Sequence, residues 1–248
     1  MTTYNEEANV RDCLESVKWA DEVVVVDSFS TDRTREIARE YTDQLREHEY
    51  VNPAAQKNWI IPQATGDWIL LIDADERVTA ELKEEILAVL RNRSGFDGYY
   101  IKRLNYFLDE PIRHCGWGKD EVLRLFRKGK GQYPNKWVHE ELIIKGKVGL
   151  LKNPLLHYTF RSFDQYFEKF HRYTTWGARD LANRRKVGRW YHILLNPPFR
   201  FFKMFILQRG FLDGYRGLII CLMSSFSVFL KYAKLWESPN RKKAQGDA

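Results

Sequence analysis

Two carboxylates separated by one residue, Asp73 and Asp75, follow directly on the apolar run Trp68-Ile-Leu-Leu-Ile72. Paired hard oxygen donors at the end of a buried strand suit Mg²⁺ or Mn²⁺ held jointly with a diphosphate, because Mg²⁺ takes one or two protein carboxylates and fills its other positions with phosphate oxygens and water. On its own an Asp-Ala-Asp is a short motif that equally describes an acidic turn leading into a helix at Thr79. A third carboxylate, Asp27, closes Glu22-Val-Val-Val-Val-Asp27 in the same way. In an open α/β sheet the carboxyl ends of the strands are where loops converge on ligands, so both strand ends are candidate site positions.

The elements that must position these groups follow from hydrophobic pattern. Residues 6–19 read as a helix with Asn5 as cap and Val10, Leu14 and Val17 on one face. The unbroken β-branched run to Asp27 reads as a strand buried on both faces. A second helix is predicted from Thr31 or Asp32, carrying Ile37, Ala38, Tyr41 and Leu45 inward, and a third from Pro53 to Gln63. Thr79 is expected to cap a helix with Leu82, Ile86, Leu87 and Leu90 at helical spacing. Alternating strands and helices predict an α/β fold with a mostly parallel sheet. After Gly98 the stretches Tyr99–Phe107, Val122–Arg127 and Leu142–Leu151 are shorter and alternate, which predicts antiparallel additions at one edge. Arg124 and Arg127, three apart on one strand, lie on opposite faces, so at most one meets phosphates.

Four motifs in order give these pieces a family resemblance: Thr2-Thr-Tyr-Asn-Glu-Glu7; Val23–Asp27 with Ser28-Phe-Ser-Thr-Asp32; Gln56-Lys-Asn58; and Ala64-Thr-Gly-Asp67 leading to Leu71-Ile-Asp-Ala-Asp-Glu76. Together they resemble family 2 glycosyltransferases. Gly116-Trp117, Leu123–Arg127, Val138-His-Glu140, Gly210–Gly217 and Tyr232–Glu237 resemble the branch containing the lipopolysaccharide core β-1,4-glucosyltransferases. The resemblance implies a GT-A (Rossmann-like, nucleotide-diphospho-sugar transferase) fold and inverting transfer of a hexose from a UDP-sugar to a glycolipid or polysaccharide acceptor. It places Thr3, Tyr4, Glu7 and Ser28 by the nucleotide, Asp27 on the uracil, Lys57 and Asn58 along the nucleotide pocket, Asp73 by the ribose, and Asp75 with Asp73 on the divalent metal (Mg²⁺ or Mn²⁺). The family takes its general base from a Glu-Asp motif; Lys119-Asp120-Glu121 departs from it, leaving Asp120 as first candidate and Glu140 as second. His139 and His157 are expected to be structural. Members also carry an apolar strand before the Thr-Tyr-Asn motif, so with a start at Met1-Thr2-Thr3 the first strand is expected to be truncated, through a start codon assigned too late. Other acceptors (isoprenoid-linked, capsule or protein) and an inactive membrane-binding scaffold are the rival readings.

Charge divides the chain. Residues 161–248 hold 17 Lys and Arg against 6 Asp and Glu, leaving 23 against 27 for residues 1–160, in a chain of net charge +7. We therefore expect a catalytic domain over 1–160 and a basic, aromatic, helical extension over 161–248, broken at Pro197-Pro198. Phe163, Tyr166, Phe167, Phe170 and Tyr173, then Phe199, Phe201, Phe202, Phe205, Phe211 and Tyr215, are interleaved with Arg and Lys. That mixture suits an anionic membrane surface, with rings at headgroup depth and cations on phosphates. The expected location is cytoplasmic, peripheral on the inner face of the plasma membrane. The longest apolar run, Leu218–Leu230, includes three serines and falls short of the ~20 residues of a spanning helix, so a core, re-entrant or interfacial segment is expected. No nucleic-acid-binding motif and no G-x-G-x-x-G accompany the early strands, which disfavours nucleic-acid partners and dinucleotide-dependent redox chemistry. Cys13, Cys115 and Cys221 are too widely spaced for a zinc site or disulfide framework.

Overall fold

A computed structural model describes residues 1–92, 95–134 and 141–246, with side chains described as far as Glu237. The chain forms two compact units, one of residues 1–104 and 119–159, the other of residues 105–118 and 160–248. The second unit thus takes in residues 105–118 as well as the C-terminal stretch that composition sets apart.

In the first unit, β1 (Thr2–Thr3), β2 (Val25–Asp27) and β3 (Leu45–Glu47) form a parallel sheet in that order, with α1 (Glu7–Val17) and α2 (Thr34–Arg39) as crossovers. α3 (Pro53–Ile60) continues as a 3₁₀ turn, Ile61–Gln63, and leads to β4 (Trp68–Leu70). A parallel bridge between Thr2 and Asp73 joins this sheet to a mixed one. The mixed sheet comprises β4, β5 (Glu76–Val78), β6 (Gly98–Phe107), β7 (Glu110–Ile112), β8 (Glu121–Arg127), β11 (Val148–Leu150) and β12 (Leu155–Phe160), in the order β4-β8-β6-β12-β5 with β7 and β11 also on β6. α4 (Ala80–Arg91) follows β5, and β9 (Gly131–Gln132) pairs antiparallel with β10 (Ile143–Ile144).

Alternation explains why β2 is apolar throughout: Val25 enters a cluster with Val10, Leu14, Leu82 and Ile86, whereas Val26 enters one with Ala54, Ile60, Leu71 and Phe126. Successive side chains point to opposite faces, so a strand covered on both sides has no polar face. Leu71 and Ile72 divide between the same two clusters. Thr79 caps α4 as expected, its hydroxyl accepting from Leu82 N at 3.1 Å.

Several local expectations change. Asn5 is not a helix cap: it sits at φ +50° and its Oδ1 accepts from Thr31 N at 2.8 Å, joining two loops, while Glu6 occupies the cap position. The second helix ends at Arg39, and Leu45 belongs to β3. β4 runs antiparallel to β8, and β11, expected among antiparallel additions, runs parallel to β6.

The second unit joins the β6 end and β7 to α5 (Phe163–Asn183), α6 (Trp190–Phe202) and α7 (Gly214–Gly246). Its core contains Phe107, Ile112, Cys115, Met204, Ile220 and Cys221. Pro197 and Pro198, expected to break the helix, lie inside α6, with the Pro197 carbonyl accepting from Ser225 Oγ of α7 at 2.8 Å; packing against α7 holds the helix where two N–H donors are missing. Ser224 accepts from Arg200 Nε at 3.0 Å. Two of the three serines interrupting the apolar run therefore have partners on α6, and the helix continues through them. As a result Gly210–Glu237, 28 residues containing an 18-residue window of mean hydropathy 1.6, is long and apolar enough to cross a membrane by length and composition, which the shorter run seen in sequence is not.

Candidate functional site

The ends of β1 and β2 are stitched together by the residues of their own motifs. Asn5 N donates to Ser30 Oγ at 2.8 Å, Glu6 N to Thr34 Oγ1 at 2.8 Å, and Glu7 N to Asp32 Oδ2 at 3.1 Å; Arg33 N donates back to Glu7 Oε2 at 3.0 Å. Asp27 is wholly buried, and its carboxylate accepts from both the backbone N–H and the hydroxyl of Ser30. This fixes the loop after β2, in which Phe29 takes φ +61°. Thr3 is also buried, and its hydroxyl has no partner among the described residues. Tyr4 is half-exposed. Ser28 accepts from the buried Gln56 Nε2 at 3.0 Å.

On α3, Asn58 spends both ends of its amide on the Tyr133 backbone, donating to the carbonyl at 2.8 Å and accepting from N–H at 3.0 Å. Lys57 lies with Nζ 5.3 Å from the Tyr133 ring centre and 3.8 Å from Asp73 Oδ2. Asn58 thus supports the wall while Lys57 faces the carboxylates.

Asp73 is less free than its place in Asp-Ala-Asp suggests. Its Oδ1 accepts from Thr2 Oγ1 at 3.0 Å, and Oδ2 pairs with the Arg124 guanidinium. Burial pushes its carboxyl up, but Arg124 and then Lys57 outweigh that and hold it well below the usual carboxylate range. Glu76 is fully buried; its Oε1 accepts from Arg124 Nη2 at 2.7 Å, and Oε2 from Asp73 N at 2.9 Å. Arg103 lies 3.5 Å from Glu76 and grips Asp120 in a two-pronged bond of 2.9 and 3.1 Å. Asp73, Arg124, Glu76, Arg103 and Asp120 form a chain of alternating charge that fixes the first base candidate relative to the strand-end carboxylates. Arg127, on the opposite face, stacks over Trp68. Glu140, the second base candidate, and His139 lie outside the described residues.

Asp75 is placed differently from Asp73. β5 and β12 pair antiparallel with His157 opposite Glu76, and Tyr158 N donates to Asp75 O at 2.8 Å. His157 Nε2 then stands 3.5 Å from Asp75 Oδ2, both side chains mostly buried. Among the described residues no three His, Cys, Asp or Glu side chains converge on one point. One carboxylate and one imidazole nevertheless fit a Mg²⁺ or Mn²⁺ whose remaining positions come from a diphosphate and water. Asp73, expected as a second ligand, has its oxygens engaged by Arg124 and Thr2. His157, expected to be structural, stands within reach of Asp75.

The site's motifs occupy the part of the chain matched by a family described as Glycosyl transferase family 2, residues 1–142. The chain belongs to this family. It is a glycosyltransferase, with the expected α/β architecture followed by C-terminal helices. Its relatives extend over nearly its whole length. The "Lipopolysaccharide core biosynthesis glycosyltransferase LpsC" of Rhizobium meliloti is 29% identical over 94% of this chain and 89% of that protein. An "Uncharacterized glycosyltransferase" of Rickettsia felis is 30% identical over 95% of this chain and 88% of that protein. Among solved structures, S. aureus TarS 1-349 in complex with UDP-GlcNAc superposes with TM-score 0.46 at 16% identity, covering 97% of this chain and 90% of that one.

Proposed function

We propose that this glycosyltransferase is an inverting enzyme that moves a hexose from a UDP-sugar to a hydroxyl of a cell-envelope glycan or glycolipid such as lipopolysaccharide core. The observation that carries the reading is the meeting of His157 with Asp75, two residues along the chain from Asp73, which pairs with Lys57. Thr3, Tyr4, Glu7 and Ser28 border the nucleotide, with Asp27 buried behind them and holding the loop after β2 through Ser30. Asp75 and His157 hold the divalent cation, which when bound neutralises charge developing on the departing diphosphate. Lys57 adds a cation on the same side. Asp120, oriented by Arg103, takes the acceptor hydroxyl proton as the oxygen attacks C1 from the face opposite UDP; the C1–O bond breaks and its electron pair leaves with UDP. The similarity to Rhizobium meliloti LpsC, a lipopolysaccharide core biosynthesis glycosyltransferase, supports the acceptor class.

The second unit supplies the seat at the membrane. Trp190 (70% exposed), Leu195 (63%) and Phe199 (64%) on α6 and Tyr215 (65%) on α7 leave large apolar surfaces in water, within a C-terminal stretch, residues 161–248, that is rich in Arg and Lys. Large exposed apolar side chains in a basic stretch suit the surface of an anionic bilayer, as on the inner face of the plasma membrane. UDP-sugar turnover is the test of the catalytic reading: Mn²⁺- or Mg²⁺-dependent release of UDP by the wild type that disappears in Asp75→Ala supports it. Equal turnover in the two proteins overturns it.

A further inference from the structure

A concave site is lined by Asn58 and by Tyr133, whose ring lies by Lys57. The β8–β9 turn closes with Lys130 N donating to Arg127 O at 3.1 Å, and Gly129 sits at φ +79°, a conformation glycine adopts without strain. Lys128 and Lys130 flank that glycine. The β9–β10 pairing continues with Lys145 N donating to Lys130 O at 2.9 Å, which brings a third lysine alongside. With Ile61, Pro62 and Tyr133 these lysines line an open cavity of about 670 Å³, a size typical of small-molecule sites. Among the described residues no Asp or Glu lines it, and none of the three lysines forms an ion pair. Three like charges around one concavity raise a positive potential that attracts and concentrates anions.

We propose that this cavity binds a phosphate ester of the acceptor, the lysines holding the phosphoryl oxygens and the apolar floor taking the attached group. The proposal rests on the glycosyltransferase reading above and adds the acceptor's chemical class to it. Tyr133 ties the two sites together: it walls the cavity, Asn58 clamps its backbone, and its ring lies by Lys57 next to Asp73. The phosphate can belong to a soluble phosphorylated glycan or to a lipid headgroup.

The test titrates the full chain with glucose 6-phosphate and with glucose by calorimetry at low salt. A parallel arm measures co-sedimentation with phosphatidylglycerol and phosphatidylcholine vesicles. Glucose 6-phosphate is expected to bind at least about ten-fold tighter than glucose, with the preference falling as salt rises. Lys128→Gln/Lys130→Gln/Lys145→Gln is expected to abolish the preference, and replacing all three lysines by arginine to keep it. If the glutamine variant instead loses only phosphatidylglycerol binding, the phosphate is that of a lipid headgroup and the subsite stands. Unchanged behaviour of that variant in both arms overturns the subsite. UDP titration of the same proteins keeps the readings separate: failure of the wild type to bind UDP counts against the donor site, while the lysine result still decides the cavity.

Discussion

Replacing Arg124 by methionine keeps most of the side-chain volume and removes a buried guanidinium that pairs with both Asp73 and Glu76. Breaking a buried ion pair by deleting one partner costs about 3–5 kcal/mol, because the remaining charge stays desolvated. Here the cost falls toward the lower bound. Arg103 remains 3.5 Å from Glu76, Lys57 remains 3.8 Å from Asp73, and Arg124 Nε itself has no partner among the described residues. We expect a loss of about 3 kcal/mol and, for a chain of this size, a fall in Tm of roughly 6–12 °C. Urea unfolding with matched m-values measures it. The pH dependence gives an independent sign. In the wild type the Asp73 carboxyl lies below its unfolded value, so its contribution is fully present above about pH 4 and is lost as pH falls through the folded value. In Arg124→Met, burial without that cation raises the Asp73 carboxyl, so the folded state takes up its proton first and stability rises as pH falls from 7 toward 5. The gap between the two proteins must therefore narrow on acidification. A gap below about 1 kcal/mol, or one unchanged between pH 5 and 8, refutes the reasoning.

Other perturbations give distinct signatures. Asn58→Ala leaves the Tyr133 N–H and carbonyl without their side-chain partners and is expected to cost about 1–3 kcal/mol in denaturant unfolding, with Lys57 displaced and turnover reduced. Arg103→Met removes the two-pronged grip on Asp120; turnover should fall on the order of 10²-fold while UDP affinity, read by calorimetry, stays near wild type. Burial raises the Tyr166 hydroxyl to about 12, so its stabilising effect is intact below about pH 10 and lost as pH rises through 12; Tyr166→Phe should flatten the alkaline unfolding curve in that window. Leu195→Ser/Phe199→Ser is expected to reduce sedimentation with anionic vesicles without changing Tm, because both side chains are already in water.

The sequence carries those features that depend on local pattern. The two-faced burial of Val25 and Val26, the Thr79 cap and the carboxylates after the second buried strand all follow from periodicity and residue type within a few positions. Features that depend on register between distant segments do not. His157 reaches Asp75 only because β12 pairs with β5, and nothing near either residue announces that pairing. Glu76 reads as one more acid in a turn, yet it is fully buried between Arg124 and Arg103, whose positions are set by β8 and β6. Asn5 has the composition of a helix cap but joins two loops instead, because Thr31 offers it an N–H from across the chain. The length of α7 is hidden for a related reason. Ser224 and Ser225 look like interruptions until their partners on α6 are seen.

Binding of UDP to the full chain, measured by calorimetry with and without Mn²⁺, tests the cation's place at the strand ends most directly. Mn²⁺ is expected to tighten UDP binding by at least about ten-fold in the wild type, and to have little effect in Asp75→Ala or His157→Ala. Tight UDP binding that ignores Mn²⁺, or a full Mn²⁺ effect surviving in both variants, contradicts it.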